Sequence, residues 1–152
     1  MRKIHNLLFF LHAFVGVGAV FGGLAAILNP QSPAGVPIEA LKFSPFSDFL
    51  IPGIILFTVL GLGNLASAVS AIFKPKYQGY ISSVFGWALV IWIVVQCIML
   101  WAINFLHVIF FAIGLVQAAL AAILLFNQRL FPTNIICKVL KSLSNSCIQK
   151  ES

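Results

Sequence analysis

A chain of 152 residues with mean hydropathy +1.08, 61% hydrophobic residues and only 8% charged residues is not an ordinary soluble domain, in which about a quarter of residues carry charge. That length holds one membrane bundle and no separate globular domain. The net charge of +6 sits on basic residues scattered in pairs between apolar runs, the pattern of charges that orient spans rather than of a nucleic-acid surface.

Arg2, Lys3 and His5 precede an apolar run at 7–28. A cleaved signal peptide would have an apolar core of only about 7–15 residues, so this longer run reads as an uncleaved first span. Its rival is cleavage near Gly23-Leu24-Ala25-Ala26. Residues 29–48 form the one substantial loop, broken by Pro30, Pro33, Gly35 and Pro37, with a single helical turn expected at 38–41 on the bilayer surface.

The second span, 49–73, follows the helix-start residues Ser44-Pro45 and Ser47-Asp48, whose side chains accept from the free N–H groups of a first turn. It has no charged residue and ends at Lys74-Pro75-Lys76. The third span covers 80–101. A reversal is required at Ala102-Ile103-Asn104, because an unbroken helix from 80 to 126 would be ~70 Å long against a hydrocarbon core of ~30 Å. Asn104 is the turn residue available there, and the fourth span is 105–126.

In the tail, 127–152, Ile135, Ile136, Val139, Leu140 and Leu143 fall at helical spacing opposite Lys138, Lys141, Ser142 and Asn145. That is a short amphipathic helix for the membrane surface. The fold expected is all-α: an integral membrane bundle of four transmembrane helices in a single domain. Arg2, Lys3, Lys74, Lys76, Arg129, Lys138, Lys141 and Lys150 fall on one side of that bundle, and only Lys42 on the other. The bias places both termini in the cytoplasm and the 29–48 loop outside.

No Asp or Glu lies inside a span, so the titrating carboxylate typical of proton-coupled carriers is missing. The metalloprotease, serine-hydrolase and P-loop motifs are absent too. Gly61-Leu62-Gly63-Asn64-Leu65-Ala66 has dinucleotide-site spacing but lies within an apolar span, where it reads as helix packing. Cys97, Cys137 and Cys147 have no metal or disulfide spacing. His12 and His107 lie ~19 Å apart in depth, too far to share a haem. No cofactor and no metal is expected, and Trp87, Trp92 and Trp101 read as lipid-facing or interfacial.

Depth sorts the polar residues of the spans into two layers. His12, Asn64 and Gln117 lie ~7–12 Å from the cytoplasmic face, each on a stripe with small residues that turns it into the bundle. The stripes are Gly16, Ala19 and Gly23 beside His12; Gly61, Ala68 and Ala71 beside Asn64; and Gly114 and Ala121 beside Gln117. Interhelical hydrogen bonding explains this layer without a function. Gln96, Asn104 and His107 lie within ~6 Å of the outer face and, with Asp48, form the candidate ligand site. A pairing of His107 with Asp48 is one arrangement of it. No catalytic residue is assigned.

The Ser44–Gly53 segment, SPFSDFLIPG, with the Pro-rich loop before it and the Gly-rich span after it, resembles small uncharacterised four-span bacterial membrane proteins. The resemblance implies a bacterial cytoplasmic membrane and a four-helix arrangement, and brings no activity. Three function classes follow. The first is a non-enzymatic partner subunit or regulator acting in the bilayer with a heterologous membrane protein. The second is a carrier or channel for a neutral or apolar solute, working as a homo-oligomer. The third is a membrane enzyme built on the outer layer. Beyond the lipid bilayer, the partners expected are membrane proteins, not nucleic acid.

Overall fold

The structure is a computed structural model that describes residues 2–73, 76–127 and 138. Four helices are long and apolar enough to cross a membrane: Arg2–Leu28, Leu50–Phe73, Gln78–Leu100 and Phe105–Asn127. The protein is therefore an all-α, multi-pass membrane protein. The amphipathic segment expected at 135–143, with Cys137 and Cys147, lies outside the described residues apart from Lys138.

The first and second helices form one antiparallel hairpin, and the third and fourth form another. In lipid there is no hydrophobic drive to press apolar helices together, so close packing must hold them. Glycines supply it. A Cβ on Gly23 would lie 2.6 Å from the Phe57 backbone nitrogen, and one on Gly61 would lie 2.8 Å from the Val20 side chain. In the second hairpin a Cβ on Gly86 would meet the Ala118 nitrogen at 2.9 Å, and one on Gly114 the Val90 side chain at 2.9 Å. Outward faces carry Phe10, Phe21, Phe73, Ile91 and Ile98, all exposed, as lipid contact requires.

The first helix begins at Arg2, before the apolar run, because His5 has a partner there: its Nδ1–H donates to Gln78 Oε1 at the start of the third helix. The second helix opens on Asp48, whose Oδ1 accepts from the Leu50 N–H at 2.9 Å. Its middle, Leu56–Leu62, is a π-helix that apolar patterning did not reveal. Here side chains compete for helix carbonyls. Thr58 Oγ1 donates to Ile54 O at 2.7 Å and Asn64 Nδ2 to Leu60 O at 2.8 Å, a recognised cause of helix distortion.

Between the first two helices, Pro33–Gly35 and Ile38–Leu41 form 3₁₀ turns. The second of these turns inward through Leu41. Leu41 is buried with Ala26, Phe49 and Met99, so the loop is packed onto the end of the bundle. The reversal after the third helix also differs from expectation. Trp101, not Asn104, takes the left-handed conformation (φ 46°, ψ 31°). That conformation costs a non-glycine residue about 1 kcal/mol, which ring contact with Phe43 at 5.7 Å helps to offset. Asn104 instead starts the fourth helix, its carbonyl accepting from the N–H groups of His107 and Val108.

Candidate functional site

Two polar groupings stand at different depths along the seam between the first and fourth helices. Nearer the termini, His12, Asn64 and Gln117 are fully buried and meet in one cluster. His12 Nδ1 lies 2.7 Å from Asn64 Oδ1 and 3.2 Å from Gln117 Nε2. Asn64 Nδ2 is committed to the Leu60 carbonyl, so Asn64 offers its oxygen and His12 Nδ1 is the donor. An imidazole N–H cannot also accept from an amide N–H. A rotation of the Gln117 amide about its last torsion brings its oxygen to the same hydrogen and resolves the conflict. His12 Nε2 has no partner among the described residues. The cluster ties the first, second and fourth helices together, the shared contact that their small-residue stripes predict.

The third helix is tied at the same end. Ser82 and Ser67 are fully buried with their hydroxyls 3.3 Å apart, and Gln78 Nε2 donates to the His5 carbonyl at 3.3 Å. Neither the Ser67–Ser82 nor the His5–Gln78 pairing was anticipated from the sequence. A signal was present: His5 lies two turns before His12 on the same face, and Gln78, Ser82 and Gly86 form a polar and small stripe at i, i+4, i+8.

Toward the loop end, the seam opens into a cleft of about 310 Å³, at the small end of the ~300–1,000 Å³ typical of ligand pockets. Gly18 and Gly22 of the first helix form one edge, and Leu106, His107 and Phe110 of the fourth form the other. Leu89, Trp92, Ile93 and Gln96 of the third helix make the back wall, and Val36 of the loop overhangs it. Beneath lies an apolar cluster of Val15, Ala19, Leu60, Leu89, Trp92 and Ile93, and the Phe14 and Phe110 rings stack across the seam at 6.0 Å. Trp92 is thus buried rather than lipid-facing, whereas Trp87 and Trp101 are exposed.

Of the outer-layer residues, the fold brings Gln96, Asn104 and His107 to this one cleft. Asp48 is not among them, since its carboxylate serves the Leu50 N–H. His107 does not pair with Asp48; its Nδ1 accepts the Asn104 N–H at 3.1 Å. With Nδ1 so occupied, the Nε2 of His107 and the side-chain amides of Gln96 and Asn104 make no hydrogen bond to other described residues. The arrangement is an apolar slot with three unpartnered, uncharged polar groups at one end. Among the described residues, its lining holds no nucleophile–base pair.

These features define a class: a small four-helix membrane protein with a lateral, polar-tipped cleft. No protein-family model, no curated protein and no solved structure matches the chain.

Proposed function

We propose that this protein binds a small neutral, largely apolar solute in the cleft and carries it along the seam between the first and fourth helices. The observation that supports this reading is the cleft itself, which is apolar-walled, uncharged, and flanked by glycines with room to spare. A Cβ on Gly18 would have only the Phe110 ring tip near it, at 3.7 Å, and one on Gly22 would meet Leu56 at an ordinary 3.4 Å. The π-helix starts at Leu56 on the cleft wall, and such distortions occur frequently at functional sites.

The first class, a partner subunit or regulator, fits the lack of acidic residues in the spans and small-residue faces suited to a neighbouring helix. The chain uses those faces itself, since Gly16, Gly23, Gly53, Gly61, Gly86 and Gly114 all abut its own residues. The charge bias supports cytoplasmic termini, which would set the cleft in the outer half of the membrane, and the resemblance of the Ser44–Gly53 segment implies a bacterial cytoplasmic membrane.

The test uses protein reconstituted in liposomes, with efflux of 1,2-hexanediol as the apolar solute and glycerol as the polar control. Hexanediol efflux should rise above that of protein-free liposomes and return to it in Gly18→Leu, with glycerol unaffected. In detergent, 1-decanol should raise the melting temperature of the wild type and not that of Gly18→Leu. No acceleration together with no thermal shift overturns the reading.

A further inference from the structure

The cleft has an open side. Gly18, Gly22 and Leu106 line it and are all exposed, so it faces outward between the first and fourth helices, where each span meets lipid. Apart from the Trp92 indole N–H on the back wall, which has no partner among the described residues, the polar side chains of the lining are grouped. Asn104 and His107 lie at the first turn of the fourth helix and Gln96 in the last turns of the third, so all three stand at the loop end. The walls toward the membrane middle are Val15, Ala19, Leu56, Leu89 and Ile93. Among the described residues, no Lys, Arg, Asp or Glu lines the cleft.

From this polarity we infer that the ligand is a neutral amphiphile that enters sideways from the bilayer. An uncharged hydrogen-bonding head rests against Gln96, Asn104 and His107, and a single apolar chain runs along Gly18 and Gly22 toward the Phe14–Phe110 stack. This rests on the cleft being the binding site and adds the class of ligand, its direction and its route. The chemistry of the three groups supports the head. The two amides donate and accept, and His107 Nε2 can do either, which matches hydroxyl or ester groups. A charged head would sit at a low-dielectric boundary with no counter-charge in the lining, an unfavourable placement. A head-less hydrocarbon would leave the three polar groups without ligand partners. The small volume admits one chain rather than the two of a phospholipid.

Trp92 on the back wall provides the readout. In full-length Trp87→Phe/Trp101→Phe protein, Trp92 is the one tryptophan left. The protein is placed in phosphatidylcholine nanodiscs and titrated with three chain-brominated probes: a medium-chain monoacylglycerol, the matching fatty acid, and the matching alkane. Bromine quenches tryptophan on contact. The monoacylglycerol should quench saturably, at a concentration at least tenfold below either of the others. Gly18→Leu should abolish the saturable phase, and Gln96→Leu/Asn104→Leu should weaken it about tenfold while alkane quenching stays unchanged.

Equal, non-saturating quenching by all three probes means ordinary lipid contact and overturns the inference. Saturable quenching by the alkane alone, with the decanol and hexanediol results intact, keeps the cleft as a site for apolar solutes and rejects the amphiphile. Preference for the fatty acid rejects the neutral head. Saturable monoacylglycerol quenching that survives Gly18→Leu rejects the route.

Discussion

The seam between the first and fourth helices is closed at one end and open at the other, although the same two helices build both. Toward the termini, His12 faces Gln117 and Phe14 stacks on Phe110. One turn and two turns beyond Phe14, the first helix offers Gly18 and Gly22 instead, and nothing from the fourth helix fills the space. In water a gap of that kind would tend to collapse, because exposed apolar surface is unfavourable. In lipid the acyl chains are as apolar as the walls, so a seam closes only where side chains pack or hydrogen-bond across it. Glycines can therefore serve opposite ends. Gly23 and Gly86 bring backbones into contact, while Gly18 and Gly22 leave a space.

The sharpest way to break this contrast is to place the same large residue at a glycine of each kind. Gly86→Leu drives a branched side chain toward the Ala118 backbone and should destabilise by about 3 kcal/mol, the upper end for overpacking. It should appear as a large loss of folded protein in a detergent thermal melt. An undisturbed melt would show that the hairpin contact is slack.

Next in size is the closed end. Asn64→Leu should cost about 1–3 kcal/mol through overpacking among Gly61, Ala68 and their neighbours. On the sequence, Asn64→Ala should be much milder. The geometry adds a cost that both variants share, because either one leaves His12 Nδ1–H with only Gln117 near it, and a buried donor left unsatisfied costs about 1–3 kcal/mol. Asn64→Ala should thus be measurably destabilised by the lost acceptor alone, with Asn64→Leu lower still by its overpacking, about 1–3 kcal/mol. A silent alanine variant would mean that Gln117 takes over the imidazole.

A double-mutant cycle of His12→Ala and Gln117→Ala isolates the tie across the seam. The expected coupling is about 0.6 kcal/mol, with about 1.7 kcal/mol as the upper bound for such bonds in a bilayer. Zero coupling would leave the Phe14–Phe110 stack as what closes the seam. The smallest expected effect on stability is at the open end. Gly18→Leu should change it by no more than about 0.5 kcal/mol, as at a lipid-exposed surface site, while abolishing decanol stabilisation. A large loss of stability would show that the space is structural and not a site.

The buried cluster was nearly legible beforehand. His12, Asn64 and Gln117 each share a stripe with small residues, and side-chain direction within a helix follows from i, i+3 and i, i+4 spacing alone. The cleft was less so. Gln96, Asn104 and His107 could be placed at one depth by counting residues, but depth does not say which sides of the helices face each other. Asp48 had the same depth and went to a helix start. Trp92 had no tell-tale pattern, because the stretch around it, 87–95, is apolar on every side and periodicity cannot pick out a buried face there.

Sequence by itself determined the four spans and the faces that turn inward. These follow from length, hydropathy and helical period, which are local properties of the chain. Tertiary structure alone decided which glycines meet a backbone and which leave a gap, and that Trp101 turns the chain. It also decided that the π-helix of the second span stands against the cleft. Each of these depends on what lies across a helix–helix contact. In a bilayer that contact is settled by side-chain shape and hydrogen bonding between distant segments, and no local pattern encodes it.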